Sequence, residues 1–201
     1  MIESNIQPFG YTEMYEWDNP PEHKNRLGRL VTFSKDMPDK ICYAKGDDFI
    51  LGVTTVCAVD TSDDPDEWKY SYLCNEYGDL YMKKERLAVG TKQYDQHLEI
   101  NYIRTYPWEH FIKIESPHLD KEKKYVKRSS RQEWVRVCLT GKTIALDNGK
   151  CKPGDWCCAY SGKVKDMYGT VVPWNQKTMK DKKKFYVLNR LSENTIMILV
   201  K

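Results

Sequence analysis

The amino-acid sequence predicts a mainly β protein: a compact β-sandwich or barrel-like domain of short antiparallel strands and hairpins, with an extended N-terminal arm. Three observations predict this fold class. Short runs rich in β-branched and aromatic residues recur along the chain, as strands require. Turn signals with glycine, proline or asparagine separate the runs. The sequence contains neither a long amphipathic helical pattern nor an internal repeat.

The sequence predicts an arm over residues 1–17. Ring-bearing and polar residues alternate over residues 11–17. Alternation with a period of two is typical of an extended segment that lies on a surface. Pro20 and Pro21 would end a helix here early. A single β-rich domain is expected over residues 18–201. The arm could fold onto its own subunit or clasp a neighbouring one, and the apolar area of its rings favours clasping.

Predicted strands follow in order, each bounded by turn residues. The longest apolar run is interrupted by Gly52, which predicts a bent or bulged buried strand. Residues 75–79 predict the loop of a hairpin, and residues 147–149 predict a tight turn, because Asn and Gly tolerate positive φ. The predicted strands are Leu30–Phe33, Lys40–Ala44, Phe49–Val59, Trp68–Leu73, Leu80–Met82, Leu98–Ile103, Phe111–Ile114, Glu133–Leu139, Thr143–Leu146, Trp156–Tyr160, Phe185–Leu191 and Thr195–Val200.

Composition excludes several classes of protein. Aromatic residues make up 12% of the 201 residues, which argues against disorder. The 32 Lys and Arg against 29 Asp and Glu leave a net charge of only +3, so nucleic acid is not expected as a partner. The longest apolar stretches are about six residues, against roughly 20 for a membrane helix, so no membrane association is expected. The start of the sequence lacks the pattern of a leader, which predicts synthesis in the cytosol or release there from a longer chain.

The seven cysteines cannot all pair with one another, because their number is odd. No CxxC occurs, and the four histidines show neither HxxxH nor HExxH spacing, so the usual zinc and redox motifs are missing. The favoured interpretation is a set of buried, reduced thiols, and no metal is predicted. Two alternatives are a metal site that includes Cys151 and Cys157, and one or more disulfides.

Motifs for catalysis and cofactor binding are missing as well. The sequence contains no GxSxG, GxGxxG or GxxxxGK[ST], so neither a nucleophile elbow nor a phosphate-binding loop is predicted. No cofactor is expected. The acidic pairs at residues 47–48 and 63–64 match no EF-hand spacing and are typical of turns. From the residues alone, the chain is predicted to be a cytosolic, mainly β interaction or structural domain.

The stretch from residue 120 to 131 is strongly basic, and its favoured interpretation is a solvated excursion. The alternative is a polyanion- or glycan-binding module that combines these charges with the rings of Tyr106, Trp108 and Tyr125. The possible polyanion contacts are Lys121, Lys123, Lys124, Lys127, Arg128 and Arg131.

Several phrases, found in one order from Tyr11 to the end, resemble a single family. Residues 46–53, GDDFILGV, are very similar to the family's GDDYILGV. Each phrase alone is weak, but several in register are specific. The phrases are Tyr11–Trp17, Arg26–Gly28, Gly46–Val53, Trp68, Tyr72-Leu73, Glu76–Gly78, Arg131–Val135, Leu139–Lys142, Lys152–Asp155 and Val187–Ile196. The chain thus resembles peptidase G2, the autoproteolytic intramolecular-chaperone domain at the C-terminus of phage tail-spike and neck-appendage proteins.

The resemblance implies a function near the N-terminus. Such domains help three copies of a β-helical spike to fold and register together, and then cut themselves off. In the family a small residue and an aspartate lie at the cut, and a glutamate three residues after the aspartate assists. Here the scissile region would be Phe9 and Gly10, with Gly10 in the aspartate's place, and the assisting catalytic residue would be Glu13. The favoured alternative for Glu13 is a structural, hydrogen-bonded carboxylate. A carboxylate at the cut could attack the neighbouring carbonyl or activate water, whereas glycine can do neither.

The first hypothesis is a viral structural or assembly protein, a stand-alone copy of the chaperone-type domain that trimerises or caps a virion appendage or capsid. Its cleavage chemistry would be lost. Its partners would be itself, as a homotrimer, and other virion structural proteins, with assembly in the host cytoplasm and final location in the virion. The expected oligomer contacts are Phe9, Tyr11, Tyr15 and Trp17. The second hypothesis is an active self-cleaving chaperone domain, at most a single-turnover autoprotease, that uses Glu13.

Overall fold

The computed structural model describes residues 10–21, 26–46, 48–56, 58, 60–63, 65, 67–68, 71–95, 100–103, 105–174 and 184–200. The protein is 46% strand and 4% helix, which confirms the predicted mainly β class. Helical structure in the described ranges includes two 3₁₀ turns, Arg128–Ser130 and Lys165–Met167. No helix in these ranges has the length and apolar character needed to cross a membrane.

The chain packs as two compact units. The first unit consists of residues 1–64 and 126–201, and the second of residues 65–125. The division expected from the sequence, an arm over residues 1–17 and a domain over residues 18–201, stays a prediction. The end of the predicted arm and the C-terminal strands belong together in the first unit, and the second unit is inserted in sequence between its two segments.

One large sheet forms the first unit. Its strands, as far as the structure describes them, are β1 (Gly10–Glu16), β2 (Leu30–Phe33), β3 (Ile41–Tyr43), β4 (Gly52–Thr55), β5 (Asp60–Ser62), β10 (Trp134–Leu146), β11 (Trp156–Ala159), β12 (Val171–Pro173), β13 (Phe185–Arg190) and β14 (Thr195–Val200). Their order is β12-β11-β13-β14-β10-β4-β2-β3, and β1 pairs with both β10 and β5. The pairing of β1 with β5 is parallel. The sheet curls into a half-barrel.

Strand β10 lies at the centre of this sheet. The sequence predicted two strands here, separated near Gly141, and the structure joins them into one strand of 13 residues. The first half of β10 pairs with β1 and β4, and the second half pairs with β14. Gly141 has a φ of 104° and lies where the partners change. Because glycine lacks a Cβ atom, it adopts this backbone conformation without strain.

The end of the predicted arm is a strand of the same sheet. Thr12 and Met14 of β1 are buried, and Trp17, just after the strand, is 2% exposed. The Trp17 ring packs edge-on against the ring of Tyr43, at 5.2 Å between centroids. Residues 10–16 of the predicted arm therefore form a strand of the first unit's sheet, and a contact of the arm with a neighbouring subunit stays a prediction. Residues 1–9 lie outside the described residues.

Two apolar clusters form the core of the first unit. One cluster, around the C-terminal strands, consists of Leu30, Ala44, Ile50, Val53, Ala145, Cys151, Cys157, Ala159, Val171, Phe185, Val187, Ile196, Ile198 and Val200. The other consists of Trp17, Val31, Ile41, Val135 and Val137. The six cysteines in the described ranges are free, and four of them, Cys138, Cys151, Cys157 and Cys158, are buried.

The second unit contains two small antiparallel sheets. Its strands are β6 (Met82–Leu87), β7 (Lys92–Asp95), β8 (Ile100–Ile103) and β9 (Trp108–Lys113). In the described part of the unit, β6 pairs with β9 and β7 pairs with β8. The sequence predicted a hairpin between residues 68–73 and 80–82. Around the predicted loop the structure has a short antiparallel connection, with a bridge between Cys74 and Leu80 and a hydrogen bond of 2.9 Å from Tyr81 N to the carbonyl oxygen of Leu73, and β6 continues from it to pair with β9.

Candidate functional site

Gly10, in the scissile region that the resemblance implies, is the first residue of β1 and lies opposite Gly141 of β10. The close approach of the two strands leaves no space for a side chain. A Cβ atom on Gly10 would lie 2.4 Å from Cys138 Sγ and 3.0 Å from the carbonyl oxygen of Thr140. An aspartate at this position would therefore require Cys138 or the strand itself to move. Phe9, the other residue of the predicted cut, lies outside the described residues.

The Glu13 carboxylate is held by two phenols. Tyr11 Oη donates to Glu13 Oε1 at 2.9 Å, and Tyr15 Oη donates to Glu13 Oε2 at 2.8 Å. The three side chains can meet because residues two apart point to the same face of a strand. Each carboxylate oxygen has its own donor, so the group is fixed in one orientation.

Ser62 extends this network. The parallel pairing of β5 with β1 places Ser62 opposite Glu13, and Ser62 Oγ lies 2.8 Å from Tyr11 Oη. A phenol has one proton, so the Tyr11 hydroxyl has two acceptors for it, Glu13 Oε1 and Ser62 Oγ. Ser62 could not be predicted from the sequence, because it becomes a neighbour of Tyr11 only through the strand pairing. The spacing of two residues between Tyr11, Glu13 and Tyr15 is the feature of the sequence that indicates the rest of the network, because it places the three side chains on one face of a strand.

The pKa of Tyr15 is raised well above its ordinary value. Burial is the main cause, because it penalises the phenolate, and the hydrogen bond to the Glu13 carboxylate is the next. A raised pKa in the folded state contributes stability that is present below the unfolded pKa, about 10, and is lost as pH rises toward the folded pKa. We therefore expect the free energy of unfolding to fall as the pH rises above about 10.

Glu13→Gln tests the origin of this raised pKa. The substitution removes the charge and leaves the burial, so the pKa of Tyr15 should fall part of the way toward its ordinary value. Absorbance of tyrosinate during an alkaline titration measures the change, and Tyr15→Phe identifies the Tyr15 step. A Tyr15 pKa that is the same in the wild type and in Glu13→Gln would show that the carboxylate does not accept this hydrogen bond.

The structure places the ring residues expected at an oligomer contact in different surroundings. Tyr11 is 38% exposed and retains a free surface. Tyr15 is half-buried and packs edge-on against Phe33, at 6.0 Å between centroids. Trp17 lies in the core of its own chain. A contact with another subunit stays a prediction for these residues, and Tyr11 is the described residue best placed for it.

Several residues of the predicted polyanion surface already have partners. In the second unit, Lys121 forms an ion pair with Glu115, and Lys123 Nζ lies 4.7 Å from the ring centroid of Trp68. Lys124 is exposed. These contacts use part of the charge that a polyanion would need.

The remaining three residues of the predicted surface belong to the first unit. Lys127 is exposed. Arg128 is buried, pairs with Asp63 and lies over the Trp134 ring at 4.1 Å. Arg131 Nη1 lies 3.5 Å from Glu133 Oε1, and its guanidinium lies over the same ring at 5.4 Å. The polyanion site stays a prediction, and Arg128 is not accessible enough to take part in it.

The described residues contain no group of three or more His, Cys, Asp or Glu that could hold a metal ion. Cys151 and Cys157, the candidates considered from the sequence, are fully buried. A hydrogen bond with Cys151, followed by burial, raises the pKa of the Cys157 thiol.

Comparisons with known proteins agree with this architecture. The family model described as Peptidase_G2, IMC autoproteolytic cleavage domain, matches residues 2–188. The crystal structure of pre-mature bacteriophage phi29 gene product 12 is similar, with a TM-score of 0.65 and 21% identity over 98% of this chain and 22% of that chain. The C-terminal fragment of the same phage protein has a TM-score of 0.61 and 22% identity over 95% of this chain and 99% of that chain. No curated protein matches.

The chain thus spans about a fifth of the length of the pre-mature phage protein and nearly the whole of its C-terminal fragment. At these identities the structural similarity shows a shared fold. The family match covers most of the sequence, including the region of β1 that carries Glu13. The chain belongs to the Peptidase_G2 family, the tail-spike-related IMC autoproteolytic cleavage domains.

Proposed function

We propose that this chain is an assembly domain of a phage tail appendage, which associates as a homotrimer through its second unit and does not cut itself. Other virion structural proteins would be its further partners, and its final location would be the virion. The observation that carries the proposal is the lack of an apolar core in the second unit. None of the apolar residues whose burial is described in residues 65–125 is buried, and the buried residues there are Ser71 and Ser116.

The strands of the second unit cannot supply that core themselves. Both sheets are two-stranded in the described ranges, and an isolated two-stranded sheet is marginally stable at best in water. Exposed apolar area of this extent marks an interaction surface. The large apolar residues exposed in this unit are Leu73, Tyr77, Leu80, Tyr81, Met82, Val89, Tyr102, Ile103, Tyr106, Trp108 and Phe111.

Copies of the same chain are the partners that fit this surface best. Each copy presents the same combination of exposed rings and strands with unpaired edges in the described part of the unit, and unpaired edges are templates for pairing with another chain. A contact between two different patches of identical subunits closes into a ring when the rotation is right. The family resemblance, in which three copies register together, supports a ring of three.

Phe111→Ser tests the association. Phe111 is 66% exposed, and we expect its replacement to weaken the trimer by at least about 2 kcal/mol, as for a buried aromatic at an interface. Light scattering or native mass spectrometry at micromolar concentration measures the oligomer. The matched control is Phe49→Ser, because Phe49 is equally exposed, at 67%, in the first unit. A monomeric wild type, or equal effects of the two substitutions, would contradict the proposal.

The loss of cleavage is supported by Gly10 and by the state of Glu13. Gly10 offers no carboxylate, its neighbours leave no room for one, and both oxygens of Glu13 accept hydrogen bonds from phenols. With a foreign tag at the N-terminus, we expect the intact mass of the wild type to equal that of Glu13→Gln, with no fragment cut near residues 9–10. A fragment that forms in the wild type and is abolished in Glu13→Gln would establish the self-cleaving alternative.

A further inference from the structure

A pocket of about 180 Å³ lies on the first unit beside the start of β10. Three of its lining residues are arginines, Arg26, Arg131 and Arg136, and none of the described residues that line it is acidic. The other lining residues include Met14, Leu27, Thr55, Ser129, Ser130 and Gln132. The pocket therefore combines an excess of positive charge with hydroxyl and amide groups and an apolar wall.

Arg136 is placed in this pocket by the strand register. It lies on β10 opposite Met14 of β1 and opposite Thr55 of β4, so its neighbours on both sides also line the pocket. The side chain is half-buried. Among the residues that the structure describes, its guanidinium has neither a hydrogen-bond nor an ion-pair partner. A partly dehydrated charge in this position favours an anion as a counter-ion.

The other two guanidiniums are fixed before any ligand binds. Arg26 is 8% exposed, and its Nη2 donates to the carbonyl oxygen of Trp134 at 2.5 Å. Arg131 is held between Glu133 and the ring of Trp134. Glu133 neutralises part of the charge of Arg131, whereas Arg26 has no carboxylate partner in the described ranges. Such preorganisation lowers the cost of ordering side chains on binding.

We propose that this pocket binds a carboxylate carried on a short apolar body. The planar guanidinium of Arg136 presents two parallel N–H donors, which match the two oxygens of a carboxylate. Met14, which lies opposite Arg136 on the neighbouring strand and also lines the pocket, suits the carbon atoms attached to the carboxylate. The ligand is either a free organic acid or the side chain of Asp or Glu in a peptide, since both present the same group. All lining residues belong to the first unit, so the proposal is independent of trimerisation through the second.

Titration of the whole chain with three probes tests the site, by calorimetry or ligand-detected NMR. Benzoate represents a free acid, N-acetylglutamate amide represents a peptide side chain, and inorganic phosphate is the competing anion. We expect one of the carboxylates to bind with a stoichiometry of one per chain and more tightly than phosphate. The carboxylate that binds more tightly shows whether the natural ligand is a free acid or a peptide side chain. Neutral benzamide, which has the shape of benzoate without its charge, should not bind.

Substitutions then assign the binding to Arg136. Arg136→Gln should lower the affinity for the carboxylate by about tenfold or more, because a charge-assisted hydrogen bond is lost. Arg136→Lys keeps the positive charge but lacks the two parallel N–H donors of the guanidinium, so it should lower the affinity by a smaller factor. Lys142→Gln, an exposed charge on the same strand, should leave it unchanged. Four results would overturn the proposal: no carboxylate binding, equal binding of benzamide, tighter binding of phosphate, or affinity unchanged in both Arg136 variants.

Discussion

Replacement of Arg190 by methionine is expected to lower the free energy of unfolding by about 3 kcal/mol, because it leaves a buried carboxylate without its partner. Arg190 holds Asp147, which is 4% exposed, through two hydrogen bonds of 2.7 and 3.3 Å. The same guanidinium donates to the carbonyl oxygens of Cys151, Ser192 and Glu193. One side chain therefore joins the loop after β10 to the turn before β14.

Urea denaturation of three variants measures this effect. In the double variant Asp147→Leu/Arg190→Met no buried charge remains, so it should be more stable than Arg190→Met alone. Lys40→Met is the control, because Lys40 forms a partly exposed ion pair with Glu16 at 2.7 Å, and such pairs contribute about 1 kcal/mol at most. Similar losses in Lys40→Met and Arg190→Met would show that the Arg190 network is no stronger than a surface pair.

Trp17→Ala is expected to lower the free energy of unfolding by about 3–5 kcal/mol, as for other large aromatic residues removed from a core. Trp17 packs in its own chain with Val31, Ile41, Val135 and Val137, and the cavity left by the indole cannot be filled by neighbouring strands that are fixed in a sheet. Thermal or urea unfolding gives the loss. The substitution acts on the fold of each subunit, so the expected change is in stability.

Trp17→Phe is the matched control for this loss. The indole Nε1 is buried and has no hydrogen-bond partner in the part of the chain that the structure describes, so phenylalanine loses volume but no hydrogen bond. The phenylalanine ring should retain an edge contact with Tyr43, so Trp17→Phe should lower the free energy of unfolding much less than Trp17→Ala. If Trp17→Ala kept full stability and changed only the oligomeric state, Trp17 would belong to the subunit contact predicted from the sequence.

The strands of the first unit could largely be predicted, because their apolar residues recur in short β-branched runs. Strands β6 and β7 could not. Their sequences, MKKERL and KQYD, lack apolar alternation, and no described side chain of theirs is buried. The pairing of β6 with β9 joins residues about 20 or more positions apart, and it depends on the tertiary structure rather than on a local turn.

The candidate site was predicted in part. Glu13 was identified through the family resemblance, and the structure adds Tyr11 and Tyr15 as its hydrogen-bond donors, a role that the resemblance does not imply. Ser62 lies 51 positions from Tyr11 in sequence. Arg136 shows no motif at all, and its place in the pocket follows from a strand register that the sequence does not reveal. In each case the missing information was the pairing of strands distant in the sequence.

The position of β14 in the sheet has a consequence for the timing of folding during protein synthesis. Strands β11, β12 and β13 connect to β10 through β14, which is translated after every other described strand. Until residues 195–200 are available, β11, β12 and β13 can pair with one another but are not joined to β10, and β10 has an open edge over its second half. Pairing between strands distant in sequence is slow to form. Completion of the sheet therefore waits for β14, so a nascent chain that still lacks residues 195–200 cannot offer a finished first unit to other subunits.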